Sequence, residues 1–305
     1  MPSSRSTGSG RGLRWFAGVG DEAAGGLDGQ IEAHRQLGWQ RIELRTIAGV
    51  PLAALDASAF AAAARQIAAA GLEVVCVDSG IGGWARTVGE PFERDLAELA
   101  VLAPRLAALG TRYLRIMSYP NDGRPAAAWR RAVLDRVGVL AARAERAGIV
   151  LLHENCAGWA GDRPERAIGL LEAVASPALR LLFDTGNGVA YGYQARDFLA
   201  EVLPWVEHVH VKDGTASGGL ARFTWPGEGS VRLAECLELL SGGGFAGTLS
   251  IEPHLLVAPH LGRNDPGPDG VATFVEYGRR LERLVAETVG ASASASGGAG
   301  SGAAR

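Results

Sequence analysis

The 305-residue chain lacks several features that would place it at once. It has only three cysteines, Cys76, Cys156 and Cys236, widely spaced and without a CxxC pair. That excludes a disulfide framework and a thiolate zinc site, and predicts a reducing, cytoplasmic setting. Charge of either sign is not in excess: 33 acidic against 30 basic residues leave a net charge of −3. Such a balance offers no field to steer a polyanion, so no nucleic-acid partner is expected. No apolar run approaches the roughly 20 residues of a membrane span. The N-terminal MPSSRSTGSGRGLR has no apolar segment of a secretion signal, so no membrane partner is expected. The turn after the first predicted strand, GVGDEAAGG, lacks GxGxxG spacing, which argues against a doubly wound dinucleotide-binding sheet.

What is present is a repeat. Hydrophobic residues make up 47% of the chain, ample for a large core. Short apolar runs predict strands at 15–20, 41–45, 72–78, 113–119, 149–155, 179–185, 206–213 and 247–254. Between and after them, stretches rich in Ala, Leu and Arg predict helices near 27–37, 56–70, 91–109, 126–147, 164–175, 195–203, 231–241 and 270–287. Gly38, Gly71, Gly110 and Gly148 stand where several of these helices should stop. Continuous apolar strands suit a parallel sheet covered by helices, and the alternation predicts an α/β fold, a (β/α)8 TIM barrel in a single domain over 13–288. The Ser-, Gly- and Ala-rich ends, 1–12 and 289–305, read as disordered tails.

In such barrels chemistry sits at the C-terminal ends of the strands. Four consecutive predicted strands each end in a metal-capable group: Glu154, Asp184, His210 and Glu252. Three crowded carboxylates resist ionisation, and a divalent cation removes the conflict. One imidazole among oxygens suits Mn²⁺, Co²⁺, Zn²⁺ or Mg²⁺. Singly, each residue has a plainer reading as an ion-pair partner or turn former. His208 lies two residues before His210 and faces the same side, as a substrate contact or as a satisfied core histidine. His153 faces away from Glu154 and should pack under a helix, and His34 and His260 carry no signal.

Four stretches, "LLHEN", "LLFDTGN", "HVHVKD" and "LSIEPH", together with "PGEG" at 226–229, occur in an order that resembles the xylose isomerase-like TIM barrels of the sugar phosphate isomerase/epimerase group. That group includes ketose 3-epimerases, inosose isomerases and dehydratases, and hydroxypyruvate isomerases. The resemblance covers roughly residues 13–288. It implies one divalent metal held by Glu154, Asp184, His210 and Glu252, with Mn²⁺ first among the candidates, and Glu154 and Glu252 as the acid–base pair. It implies an isomerase or epimerase acting on a small keto-sugar or cyclitol such as an inosose, through an enediolate. Returning the proton to the opposite face epimerises, and returning it to the neighbouring carbon isomerises. Expelling a β-hydroxyl or β-linked aglycone, as on a 3-keto sugar, would make the protein a lyase or dehydratase instead. Where many ketose epimerases carry a histidine, this chain has Asn187, which leaves the substrate open.

"HENCAGWAG" at 153–161 also resembles endonuclease IV, but six histidines are too few for its three zincs and the chain has no basic surface. A barrel that only binds is the other alternative. Candidate substrate contacts are Glu43, Asn187, His208, Lys212, Arg222 and His254, with Trp159, Tyr191, Tyr193, Trp225 and Glu228 in nearby loops. His254 is weighed between touching substrate and orienting Glu252. Glu43 is weighed between a substrate hydroxyl and a buried ion pair with Arg45 or Arg115. Few free basic residues at the rim favour a non-phosphorylated substrate. A homo-oligomer is left open.

Overall fold

A computed structural model of the chain describes residues 13–217, 220–258 and 262–297. The predicted tail 1–12, the end of the other tail from 298 on, and His260 lie outside the described residues.

Eight strands make one parallel sheet: β1 (Phe16–Gly18), β2 (Arg41–Leu44), β3 (Glu73–Asp78), β4 (Tyr113–Ser118), β5 (Val150–Gly158), β6 (Leu179–Asp184), β7 (Val206–Val211) and β8 (Thr248–Ile251). Each strand from β2 to β8 pairs with the next, and β8 returns to pair with β1. A lone parallel bridge between Val19 and Glu43 joins β1 to β2 and closes the ring.

The principal helices follow the strands in turn: α1 (Leu27–Leu37), α2 (Ala57–Ala69), α3 (Glu93–Leu109), α4 (Ala126–Arg146), α5 (Pro164–Val174), α6 (Ala195–Val202), α7 (Leu233–Gly242) and α8 (Gly270–Gly297). α1 and α3 stop at Gly38 and Gly110, whose φ of 72° and 73° only glycine adopts without strain. α8 runs to Gly297, well into the stretch whose composition suggests a tail.

Side chains alternate in and out along each strand. Outward residues such as Ile42, Val77, Leu151, Phe183, Val209 and Ile251 pack under the helices in the main core. Each such buried side chain contributes about 1.5–3 kcal/mol relative to an exposed one. Inward residues Cys76, Leu152 and Leu182 form a separate small apolar plug within the barrel. Two positions further along the same strands, the inward residues are Asp78, Glu154 and Asp184. Glu43 stands beside Cys76 and His208 beside Leu182, so polar groups begin at the level of the plug and take over one step of the pleat further along.

Two segments differ from expectation. β5 continues past Asn155 to Gly158, because a register shift between Ile116 and Ser118 lets Ser118 pair with Gly158. The stretch after β7 is an antiparallel ribbon, Asp213–Ser217 against Leu220–Thr224, where the sequence suggests a long loop. No helix among the described residues is long and apolar enough to cross a membrane.

Candidate active site

Glu154, Asp184, His210 and Glu252 meet at the C-terminal mouth of the barrel. One ligand-capable atom from each lies within 4.8 Å of the others, and all four side chains are buried. Their convergence follows from register. Asp184 pairs with His210 across β6 and β7, and the Glu252 N–H still donates to the Val211 carbonyl at 3.1 Å. Pro253, with no N–H, then ends the ladder.

Neighbouring groups hold each carboxylate. Asn155 stitches β5 to β6: its amide nitrogen donates to the Asp184 carbonyl at 2.8 Å, and its amide oxygen accepts from the Asp184 N–H at 2.6 Å. Asp184 Oδ1 accepts from the N–H groups of Gly186 and Asn187 at 2.7 and 2.8 Å. Asn187 donates from Nδ2 to Glu154 Oε1 at 2.9 Å, and Arg115 Nε approaches Glu154 Oε2 at 3.4 Å. Glu252 is clasped by Arg45 at 2.7 Å on Oε1 and by Lys212 at 2.7 Å on Oε2. Lys212 also reaches Asp184 Oδ2 at 3.0 Å.

These contacts divide the carboxylates. Burial pushes Glu252 up, but Lys212, His254 and His210 outweigh it and hold the carboxyl well below its usual range. Burial raises Asp184, and the carboxylates of Glu252 and Glu154 outweigh enough of the Lys212 attraction to keep it raised. Lys212 itself is held well above its usual value, because Asp184 and Glu252 outweigh the cost of burial.

The residue set suits a divalent cation. Asp184 Oδ2, His210 Nδ1 and Glu252 Oε2 are buried and face one another around the Lys212 ammonium, 3.9 Å from His210 Nδ1 to Asp184 Oδ2 and 3.4 Å to Glu252 Oε2. Arg45, Arg115 and Lys212 are the permanent cations among the acidic side chains of Asp21, Glu22, Glu43, Asp78, Glu154, Asp184 and Glu252. Such an acid-rich cluster, with oxygen donors and one imidazole, suits a divalent cation.

The other expected residues divide into two groups. Asn187, Lys212 and His254 line a small cavity of about 70 Å³ with Glu154 and Glu252. His254 has a left-handed backbone, φ 53°, and is fixed by Glu22: its N–H donates to Oε2 at 3.0 Å and its Nδ1 lies 3.0 Å from Oε1. Glu43 and His208, expected among the substrate contacts, instead lie beneath the cluster and bond to each other. Glu43 is wholly buried and meets His208 Nε2 at 2.8 Å and His210 Nε2 at 3.0 Å, so its partners are histidines rather than Arg45 or Arg115. Arg222 is exposed on the ribbon, one residue from Phe223 and therefore on its opposite face. It is Phe223 that stands 5.1 Å from the His254 ring and 5.5 Å from Lys212 Nζ.

The loop candidates mostly turn away. Glu228 pairs with Arg280 at 2.6 Å, and Arg280 stacks on Trp225. Trp159 is buried, and the Tyr193 hydroxyl donates to the Asn155 carbonyl. Tyr191 stays at the rim, its hydroxyl 3.6 Å from Cys156 Sγ. His153 is fully buried, makes no hydrogen bond with described residues, and is pushed down to about 4 by burial.

Sequence reasoning missed Asp21, Glu22 and Trp84 as parts of this site, placed Asp78 at the end of the third strand without a role, and took Arg45 and Arg115 only as partners for Glu43. Arg45 bonds Asp21, Glu22 and Glu252, and Trp84 is half exposed at the cavity mouth. The usable signal was alternation, since Arg45 follows Glu43 by two and Arg115 is inward on β4. A larger cavity, about 640 Å³, opens at the opposite end around Trp15, Arg41, Arg112 and Glu207. Its lining reaches His208 from below, and it opens at the end of the barrel opposite the converging carboxylates, away from where such barrels carry their chemistry.

A family model described as the xylose isomerase-like TIM barrel matches residues 31–273. The chain belongs to this family. A curated relative, 2-epi-5-epi-valiolone 7-phosphate 2-epimerase of an Actinoplanes strain, is 37% identical over 143 residues, which is 44% of this chain. The match spans about half of that relative, 48%. Among solved structures, L-ribulose 3-epimerase superposes with a TM-score of 0.70 at 18% identity, covering 94% of this chain and 99% of its own. The IOLI protein with a bound zinc atom gives 0.69 at 15% identity, covering 90% and 98%. A probable 3-DHS dehydratase from Bacillus anthracis gives 0.68 at 14% identity, covering 88% and 99%. At these identities the structural likeness shows the fold.

Proposed function

We propose that the protein is a divalent-metal-dependent isomerase or epimerase acting on a small keto-sugar or inosose. The observation that carries this reading is the convergence of Glu154, Asp184, His210 and Glu252 on one point at the barrel mouth. These four would hold the metal, Mn²⁺ first among Mn²⁺, Co²⁺, Mg²⁺ and Zn²⁺. When bound, the ion supplies Lewis-acid polarisation of a substrate carbonyl.

The chain's own residues would do the rest. Glu252, kept ionised by Lys212, His254 and His210, is the base that takes the proton next to the carbonyl. Glu154 stands three strands away, oriented by Asn187 and Arg115, and returns a proton from the other side. Return to the same carbon inverts it, and return to its neighbour moves the carbonyl. Phe223 and Trp84 flank the cavity and limit water. All three cations at the cavity are already ion-paired, which favours an uncharged substrate, although the curated relative is named for a phosphate ester.

A second reading, a lyase or dehydratase, draws on His254. Held by Glu22 beside Glu252, it could protonate a departing hydroxyl. The test is solvent exchange. The protein is loaded with Mn²⁺ and incubated in D₂O with a panel of ketoses and inososes, and deuterium is sought next to the carbonyl. Glu154→Gln and Glu252→Gln should each abolish exchange while retaining the fold. Exchange surviving in both variants would remove the acid–base assignment, and loss of a β-hydroxyl would select the second reading.

A further inference from the structure

The mechanism leaves Glu43 and His208 unused, although burying a carboxylate and an imidazole inside a barrel is costly. Their geometry is specific. Both Glu43 oxygens are engaged, one by His208 Nε2 at 2.8 Å and the other by His210 Nε2 at 3.0 Å. All three side chains are at most 3% exposed. The other nitrogen of His210, Nδ1, faces the mouth, 3.4 Å from Glu252 Oε2 and 3.9 Å from Asp184 Oδ2. The backbone beneath is held as well, since Glu43 forms the closing bridge with Val19.

We propose that Glu43 is the positioning residue for His210. It accepts the Nε2 proton and so leaves the Nδ1 lone pair aimed at the carboxylate cluster, with His208 as the anchor that stops Glu43 from turning. A carboxylate has two acceptors and no donor, so it obliges both imidazoles to place their proton on Nε2. An imidazole free to carry its proton on Nδ1 would present a hydrogen where a lone pair is needed. Binding His208 engages the second oxygen and so fixes the plane of the carboxylate between the two histidines, with Cys76 and Asp78 ligand atoms within 4.8 Å of it. Carboxylate partners of this kind orient metal-binding histidines, and their loss lowers metal affinity about 10- to 100-fold. The inference rests on the reading that the cluster holds a divalent cation.

The experiment uses the full chain and Zn²⁺ alone. Zinc affinity is measured by competition with a chromogenic chelator for wild type and Glu43→Gln. Long-range ¹⁵N–¹H spectra of histidine-labelled, zinc-loaded protein report which ring nitrogen carries the proton. In wild type, His210 should show zinc on Nδ1 and a proton on Nε2, and His208 a proton on Nε2. An amide offers one acceptor and one donor, so in Glu43→Gln one of the two imidazoles should cross to the Nδ1–H form. Zinc affinity should fall about 10- to 100-fold with the circular dichroism unchanged. A purely structural Glu43 would not move the proton between ring nitrogens. Zinc on Nε2 of His210 in wild type overturns the proposal without needing any variant to fold. Unchanged affinity and unchanged tautomers in Glu43→Gln also overturn it while leaving the metal site intact. A wild-type protein that binds no zinc overturns the metal reading and this inference together.

Discussion

Replacing Asp78 with asparagine tests the ionic interior through pH. Asp78 is inward on β3, its side chain fully buried, with Oδ2 at 3.3 Å from Arg115 Nη2. Burial raises its carboxyl from 3.8 to about 7, Arg115 only partly opposing this and Glu43 adding to it. A folded value above the unfolded one means that the native state binds the proton more tightly. The associated stabilisation is complete below about pH 4 and is lost as pH rises through about 7. From 3.8 to about 7 corresponds to about 4 kcal/mol at full ionisation. Asparagine has the same shape and no proton to lose. Asp78→Asn should therefore gain on wild type by up to about 4 kcal/mol between about pH 4 and pH 8, whatever the fixed offset between the two. Urea unfolding of chelator-treated protein across that range measures the gap. A gap that stays constant within about 1 kcal/mol, or that moves in favour of wild type as pH rises, refutes the argument.

Three other outcomes follow from the site and its supports. Gly158 has φ of 105°, and an added methyl would meet the Ser118 carbonyl, so Gly158→Ala should cost about 2–4 kcal/mol in unfolding free energy; a cost below about 1 would contradict the strain. Asn187→Ala removes the 2.9 Å bond to Glu154 Oε1 and should slow solvent exchange about 10- to 100-fold at unchanged Mn²⁺ content, with an unaltered rate counting against the role given to Glu154. Phe223→Ala opens the ribbon side of the cavity and should raise KM more than it lowers kcat, whereas an equal fall in kcat alone would place Phe223 in the chemistry.

The architecture was legible because period and punctuation agreed. Apolar runs, Ala- and Leu-rich helices and stopping glycines such as Gly38 and Gly110 all point to the same strand–helix units, and α1 spans the residues expected. The four-residue cluster was legible because each member lies toward the C-terminal end of its predicted strand and alternation turns it inward. What alternation cannot tell is depth. Glu43, His208 and His210 face the same interior, but only the stagger of the strands puts Glu43 beneath the mouth, level with both histidines. The ribbon after β7 was hidden for a different reason. Its second strand, LARFT, is exposed or half-buried along its length and without an apolar run, and its support comes from Asp213, which accepts from the N–H groups of Gly227 and Gly229 fourteen or more residues away. Thus "PGEG" works here as a turn gripped by Asp213, and its glutamate points toward Arg280.

Every other neighbouring pair of barrel strands is tied by a ladder, but among the described residues β1 and β2 share a single backbone bridge, Val19 to Glu43. Next to that joint the β2–β3 register slips by one residue, so that Glu43 faces Cys76. The weakest seam of the cylinder is thus also the address of the carboxylate that grips both histidines. A sideways slip of one residue there would turn Glu43 out under the helices and bring Ile42 or Leu44 inward. Changes that would be tolerated at an ordinary seam, such as an insertion in the loop before β2 that shifts the strand, would dismantle the site while leaving the six joints of the ring that do not involve β2 unchanged.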